Sequence, residues 1–434
     1  MSERDIIAII GFISLFALML LRVPVGIAMS LVGVGGFAAV VGIDPALNLL
    51  AMSPLRAVTN YELSVIPMFV LMGVFATASG MSSELFRSAN AWFGGRRGGL
   101  GTATIASCAG FSAICGSSVA TAATMTKIAL PEMRRLGYSD SLATGMIAAG
   151  GTLGILIPPS VIMVVYAFIT EQDVGRLFIA GVIPGLIAVL MHMTVIWLIG
   201  YFRPGTVPAG QKTSWTEKFA SLRGTWAIAL VFVAIIGGIY QGIVTPTEAA
   251  ALGAVVTLII GFVRRSLTWR GTLTCLVDAL KTSVSIYTVI IGALLFGYFL
   301  TVTQTPQKVA DLLVGLGLGP MGTLALILSF FILLGCVLES MAMMILLVPI
   351  VFPVIVHFGF DPIWFGIIMV VAVELGLITP PVGMNLFVIK SVAPDTNLVQ
   401  IMRGAFPFVL MDIVRLVLLV AFPMLVLYLP SQMG

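Results

Sequence analysis

The 434 residues are 59% hydrophobic and only 9% charged, with a mean hydropathy of +1.15. Soluble chains carry about 25% charged residues, so this composition excludes a soluble globular protein and indicates a chain solvated largely by lipid. The net charge of +4 does not imply nucleic acid, because the basic side chains sit in short segments flanking apolar stretches, as membrane topology requires.

From the N-terminus, residues 1–5 lack the basic start and small-residue cleavage site of a secretory signal, so 6–21 reads as a retained span. Further spans are expected at 23–42, 62–80, 139–171, 174–200, 224–240, 243–263, 281–301, 361–392 and 404–428, at about 20 residues per crossing. Amphipathic stretches at 46–58, 82–93, 267–280 and 305–316 read as helices lying on the membrane surface. Two apolar segments behave differently, 99–130 and 320–356. Polar residues interrupt each, Cys115-Gly116-Ser117-Ser118 in the first and Glu339-Ser340 in the second. Halves this short do not span, so both are expected to be re-entrant hairpins whose tips are buried in protein or line a wet cavity. A polar linker at 203–223, containing Pro204, Gly205, Pro208 and Gly210, divides the chain into halves 1–202 and 224–434. The four cysteines, Cys108, Cys115, Cys275 and Cys336, lie in or beside apolar runs without metal-ligand spacing, so neither a disulfide nor a cysteine metal site is expected.

The two halves match when the chain is slid on itself by 222 residues, which lays Ser118 on Ser340. Pro131 then meets Pro353, Gly137 meets Gly359, Leu153-Gly154 meets Leu375-Gly376, and Pro158-Pro159 meets Pro380-Pro381, without a gap. This predicts an internal duplication. Each half holds an odd number of crossings, so the second copy is inverted relative to the first. The positive-inside rule puts Arg96, Arg97, Arg134, Arg135, Arg264 and Arg265 inside, with Arg4, Arg56, Arg176 and Lys308 outside. Both termini are therefore expected outside.

Proline lacks an N–H, so Pro158 and Pro159 free the carbonyls of Gly154 and Ile155, and Pro380 and Pro381 free those of Gly376 and Leu377. Unpaired carbonyls in hydrocarbon are costly. Either a hard cation such as Na⁺ binds them, as in broken-helix transporters, or the prolines only kink the helix and neighbours or water heal the gap. Two related motifs, each at a fixed distance from a polar hairpin tip, favour ion sites. Ser117, Ser118 and Thr121 follow the first tip and Ser340 the second, where the free N–H groups of a helix start favour an anion such as a carboxylate. Pro159 and Pro381 adjoin the same candidate substrate site, Glu339 either lines it or salt-bridges a helix, and Asn385 either orients it or bonds a neighbouring carbonyl. Thr124 reads as packing. Glu374 either lines the site or salt-bridges a helix, Asp412 and Arg415 form an i,i+3 pair or a subunit contact, and His192 reads as structural.

Cys115-Gly116-Ser117-Ser118-Val119-Ala120-Thr121-Ala122-Ala123, Gly154-Ile155-Leu156-Ile157-Pro158-Pro159-Ser160 and Gly376-Leu377-Ile378-Thr379-Pro380-Pro381-Val382-Gly383-Met384-Asn385-Leu386-Phe387 resemble the large membrane subunit of tripartite ATP-independent periplasmic (TRAP) transporters, in the wider ion-transporter superfamily. The resemblance covers nearly the whole chain. It implies an all-α polytopic fold with two inverted repeats, two hairpins and two discontinuous helices, working as an elevator. It also implies Na⁺ coupling, a bacterial inner-membrane location, a separate four-span small subunit, and a periplasmic binding protein that delivers an organic acid. Family sodium sites carried across fall near Ser117, Ser118, Gly154 and Pro158, and near Ser340, Gly376, Thr379 and Pro380. Ala372 stands where many relatives have asparagine, so backbone oxygens are the expected ligands there. No cofactor is expected beyond the coupling ion.

The alternative is a stand-alone Na⁺/dicarboxylate symporter that needs no binding protein. An intramembrane enzyme is disfavoured by the absence of H-E-x-x-H or paired aspartates, and an ATP-driven pump by the absence of any Gly-Lys pair.

Overall fold

The computed structural model describes residues 2–203, 205–208, 210 and 213–433, so Pro204 lies outside the described residues. Helices account for the regular structure, and there is no β-strand among the described residues. The first half comprises α1 (Glu3–Leu20), α2 (Val25–Val41), α3 (Ile43–Thr59), α4 (Val65–Ala78), α5 (Met81–Phe93), α6 (Gly99–Cys115), α7 (Ser118–Arg135), α8 (Asp140–Leu156), α9 (Val161–Thr170) and α10 (Val174–Phe202). The second comprises α11 (Trp215–Tyr240), α12 (Pro246–Val263), α13 (Trp269–Val302), α14 (Thr305–Gly315), α15 (Gly319–Gly335), α16 (Ser340–His357), α17 (Pro362–Ile378), α18 (Met384–Val392) and α19 (Leu398–Ala421).

Local chemistry sets many of these boundaries. Ser214 with Glu217 and Thr245 with Glu248 form capping boxes at the starts of α11 and α12, each satisfying two otherwise orphaned amides. Gly137 (φ +85°) and Gly359 (φ +74°) follow the ends of α7 and α16 in left-handed conformation, which glycine adopts without Cβ strain. These two glycines are 222 residues apart, as are the starts of α7 and α16 and of α8 and α17.

Among the described residues, six helices are long and apolar enough to cross a bilayer, and two bent pairs raise the number to eight. Ten crossings were expected. Three expected crossings drop out because α1 opens on Glu3, Arg4 and Asp5, α2 has 17 residues, and the second Pro-Pro segment is split into α17 and α18, while α16, expected to be too short to span, has 18 residues and is long enough. The separate surface helix expected at 267–280 is absent; that stretch is the start of the 34-residue α13. No proline or glycine lies between Leu273 and Ile291 to interrupt it, and at about 51 Å it exceeds the hydrocarbon thickness of about 30 Å. The polar linker is likewise shorter than expected, because α11 begins at Trp215.

The helices pack as two sets. In one, α2 lies against α1, α3 and α13, and α4 against α12 and α13. In the other, α8 lies against α6, α7, α10, α17 and α19, with α15 on α17 and α16 on α9. The sets meet where α4 and α5 touch α6 and where α13 touches α16. Small residues permit the tightest approaches, as membrane helix packing requires. A Cβ at Gly26 on α2 would lie 2.5 Å from the Thr288 carbonyl oxygen on α13, and one at Gly404 on α19 would overlap the Ser141 carbonyl on α8. Replacing Gly404 with valine is expected to destabilise the solubilised protein by about 1–3 kcal/mol. An unchanged thermal midpoint for that variant would contradict the close α8–α19 packing.

Candidate ion and substrate site

The predicted hairpins and discontinuous helices meet at the two Pro-Pro segments. The α6–α7 hairpin turns at Gly116 (φ +63°) and Ser117, and the α15–α16 hairpin turns over 336–339. The first interrupted helix breaks between α8 and α9, which are bent by 40°, and the second between α17 and α18. The Pro158–Pro159 and Pro380–Pro381 peptide bonds are both cis.

At the first break, the hairpin tip sits directly on the interrupted backbone. A Cβ at Gly154 would fall 2.5 Å from the Ser117 carbonyl oxygen and 2.9 Å from the Ser118 nitrogen, and one at Gly116 would fall 2.8 Å from the Pro159 oxygen. Ser117, Ser118, Gly154 and Pro159 are therefore brought together. The C-terminal end of α8, where carbonyls and dipole favour a cation, meets the N-terminal end of α7, which favours an anion. The Ile155 carbonyl, expected to be free, accepts a 2.6 Å hydrogen bond from the Ser160 hydroxyl. Its need for a partner is met inside the protein. Thr121 donates its hydroxyl to the Ser117 carbonyl at 2.8 Å, a backbone-bonding role rather than an open ligand position.

At the second break, Gly376 lies against the end of α15, and a Cβ there would be 2.6 Å from the Gly335 Cα. Gly383 (φ +59°) donates its amide to the Cys336 carbonyl at 3.0 Å. A Cβ at Gly383 would be 3.1 Å from the Thr379 oxygen and 3.2 Å from the Leu377 oxygen, so both carbonyls face one small volume. The Gly376 carbonyl, also expected to be free, accepts the Thr379 amide at 3.2 Å, and the Thr379 hydroxyl donates to the Leu375 carbonyl at 2.5 Å. Pro158 and Pro159 are buried while Pro380 and Pro381 are exposed, so the two breaks differ in access.

The second tip departs from the expected anion site. The Glu339 carboxylate itself accepts the amides of Met341 at 3.1 Å and Ala342 at 3.2 Å, and the Ser340 hydroxyl donates to it at 3.1 Å. A carboxylate at an N-cap satisfies the free amides and the helix dipole together, so this tip presents negative charge. Glu339 lines a cavity of about 110 Å³ with Ser285 and Val289 of α13. A cavity of about 1020 Å³ lies beside α9, α13 and α16 rather than at the breaks, with Glu62, Glu171 and Asp173 on its walls.

Asn385 links the halves. Its amide donates to the Ser118 hydroxyl at 2.7 Å, and the hydroxyl lies 3.1 Å from the Asn385 carbonyl oxygen, both side chains being buried. Sequence spacing gave no sign of this pairing, which crosses 267 residues. Arg134 makes a second link, binding Asp140 through two 2.8 Å hydrogen bonds, Thr396 at 2.8 Å and Asp395 at 2.7 Å. It ties the base of the first hairpin to the loop after α18. Deeper in, Glu374, Arg415, Asp412 and His192 form one connected buried cluster: Glu374 salt-bridges a helix rather than facing the breaks, and the Asp412–Arg415 i,i+3 pair forms at 3.2 Å.

The family described as tripartite ATP-independent periplasmic transporter, DctM component, matches residues 12–425. The chain belongs to that family. The C4-dicarboxylate TRAP transporter large permease protein DctM of Pseudomonas aeruginosa is 40% identical over 405 residues, covering 91% of this chain and 94% of that one. The sialic acid TRAP transporter large permease protein SiaM of Vibrio cholerae is 34% identical over 390 residues, covering 89% and 90%. The crystal structure of the Alcanivorax borkumensis YdaH transporter matches 92% of this chain and 98% of that one with a TM-score of 0.66 at 13% identity, a likeness of fold. This DctM-family permease is thus a multi-pass membrane component of a TRAP transporter.

The contact between Ser118 and Asn385 is open to a direct test in the permease. A double-mutant cycle of Ser118→Ala and Asn385→Ala on thermal stability should give a coupling of about 1 kcal/mol. Additive effects would mean that the two side chains do not interact.

Proposed function

We propose that this chain is the large transmembrane subunit of a Na⁺-coupled TRAP transporter of the bacterial inner membrane, importing an organic acid delivered by a periplasmic binding protein. A separate four-span small subunit completes the membrane part, and both termini face the periplasm. The observation that carries the reading is the seating of a hairpin on each helix break through a glycine that admits no side chain, at Gly154 and Gly376. Each break combines a helix C-terminus with carbonyls that proline deprives of an amide partner, and hard cations take oxygen ligands. With Ile155 and Gly376 internally bonded, the backbone oxygens of Gly154 at the first break and of Leu377 and Thr379 at the second are the proposed Na⁺ ligands.

The anion belongs at the first tip, where Ser117, Ser118 and Asn385 lie near the start of α7, because Glu339 gives the second tip a negative charge. C4-dicarboxylates and sialic acid, named for the two relatives, are both organic acids, which supports a carboxylate cargo. Recurrence of the hairpin and broken helix at a 222-residue offset supports two inverted repeats. The division into two helix sets supports an elevator, in which the set bearing both breaks slides past the other. Na⁺ at the carbonyls holds the hairpin tips in place and thereby completes the anion site.

Reconstituted with its small subunit and binding protein, the permease should take up the acid with Na⁺ and not with K⁺. Ser118→Ala, at the tip seated on the Gly154 turn, and Pro380→Ala should raise the Na⁺ half-saturation by about tenfold. Reduced uptake at unchanged half-saturation would remove those positions from the ion sites. Transport of free acid without the binding protein would favour the stand-alone symporter.

A further inference from the structure

Four ionisable side chains lie wholly buried behind the last turns of α17, where Glu374 joins them, and the proposed cycle uses none of them. Arg415 of α19 is fully enclosed. Its Nη2 meets Glu374 Oε2 of α17 at 2.6 Å and Asp412 Oδ1 at 3.2 Å, and His192 Nε2 of α10 meets the same Asp412 oxygen at 2.9 Å. All four side chains are 0% exposed. The remaining polar atoms, Arg415 Nε and Nη1, Glu374 Oε1, Asp412 Oδ2 and His192 Nδ1, have no protein partner.

As a device for holding helices together, such a cluster is poor. Desolvating buried charges offsets most of their attraction, and apolar packing of the same volume stabilises as well or better. Ionisable groups at membrane depth also carry a cost that points to function. What the cluster supplies is direction. Glu374 precedes Gly376 by two residues, roughly 200° around the helix, so the carboxylate faces away from the surface where Gly376 meets Gly335. Arg415 therefore holds the last turn of α17 from behind while the hairpin bears on it in front. The 2.5 Å bond from the Thr379 hydroxyl to the Leu375 carbonyl makes this turn and the start of the break one unit.

We propose that Arg415 is a positioning residue for the second ion site. Through Glu374 it fixes the rotation and height of the α17 terminus that presents the Leu377 and Thr379 carbonyls, and Asp412 and His192 hold Arg415 in turn. The proposal rests on the Na⁺ reading of the breaks. Ligand groups work when supporting contacts hold them within about 0.5 Å of the productive geometry, and a guanidinium, with its planar fork, sets direction where an ammonium does not.

The test is a Na⁺ titration of purified permease, read as thermal stabilisation by NaCl against choline chloride. Arg415→Lys and Glu374→Gln should each raise the half-saturating Na⁺ concentration by about tenfold, the size seen when outer-shell partners of a metal site are lost. His192→Asn, at the far end of the chain of contacts, should shift it in the same direction by less, and decides the matter if the other two variants do not fold. Glu84→Gln, which breaks the Glu84–Arg264 pair between α5 and the end of α12, should leave it unchanged. Folded variants with lowered thermal midpoints but a parental Na⁺ half-saturation would overturn the positioning role. An unsubstituted permease without any Na⁺ response would overturn the ion reading itself, and with it this proposal.

Discussion

A carbonyl oxygen that loses its amide partner inside a membrane has to be satisfied by something else, because no water is at hand and the desolvation cost is several kcal/mol. The two Pro-Pro pairs create four such oxygens at the middle of two interrupted helices. Ser160 takes the Ile155 oxygen and the Thr379 amide takes that of Gly376. Gly154 and Leu377 are left, each close to a hairpin tip. The rest of the second helix set is arranged so that these tips can come near: glycine faces backbone at Gly154 and at Gly376, where any side chain would push the hairpin away.

The two breaks share an architecture without sharing a chemistry. Ser117 caps the start of α7 with a neutral oxygen, at 3.3 Å from the Ala120 amide, whereas Glu339 caps α16 with a charge. The first break is enclosed and the second exposes both prolines. Asn385 reaches from the second break to Ser118 at the first tip, so the two halves form one polar centre instead of two independent copies. Such a division suits the site proposed above for cations and an anion.

Much of this was legible in the residues. Pro158-Pro159 and Pro380-Pro381 define the breaks because proline has no amide to give, whatever surrounds it. Gly116-Ser117 and Glu339-Ser340 mark the hairpin turns because polar groups in a short apolar segment need a protected place. The structure has no separate helix at 267–280, because amphipathic periodicity looks the same in a separate helix and in the end of a long one; only the absence of a breaker between Leu273 and Ile291 distinguishes them. Glu339 was legible as a tip residue, but not as the cap that fills its own anion site, since capping depends on a rotamer that spacing does not reveal.

Side chains far apart in sequence were beyond such reading. Ser118 with Asn385, Arg134 with Asp395, and His192 through Asp412 and Arg415 to Glu374 each join segments whose proximity arises only once α8 has packed on α17 and α19. Membrane solvation and the helix breaks are local properties of composition and backbone chemistry, so the sequence by itself determined them. Which oxygens remained open, and which charges met, was decided by tertiary packing, because hydrogen bonds and ion pairs depend on distances that no local pattern encodes.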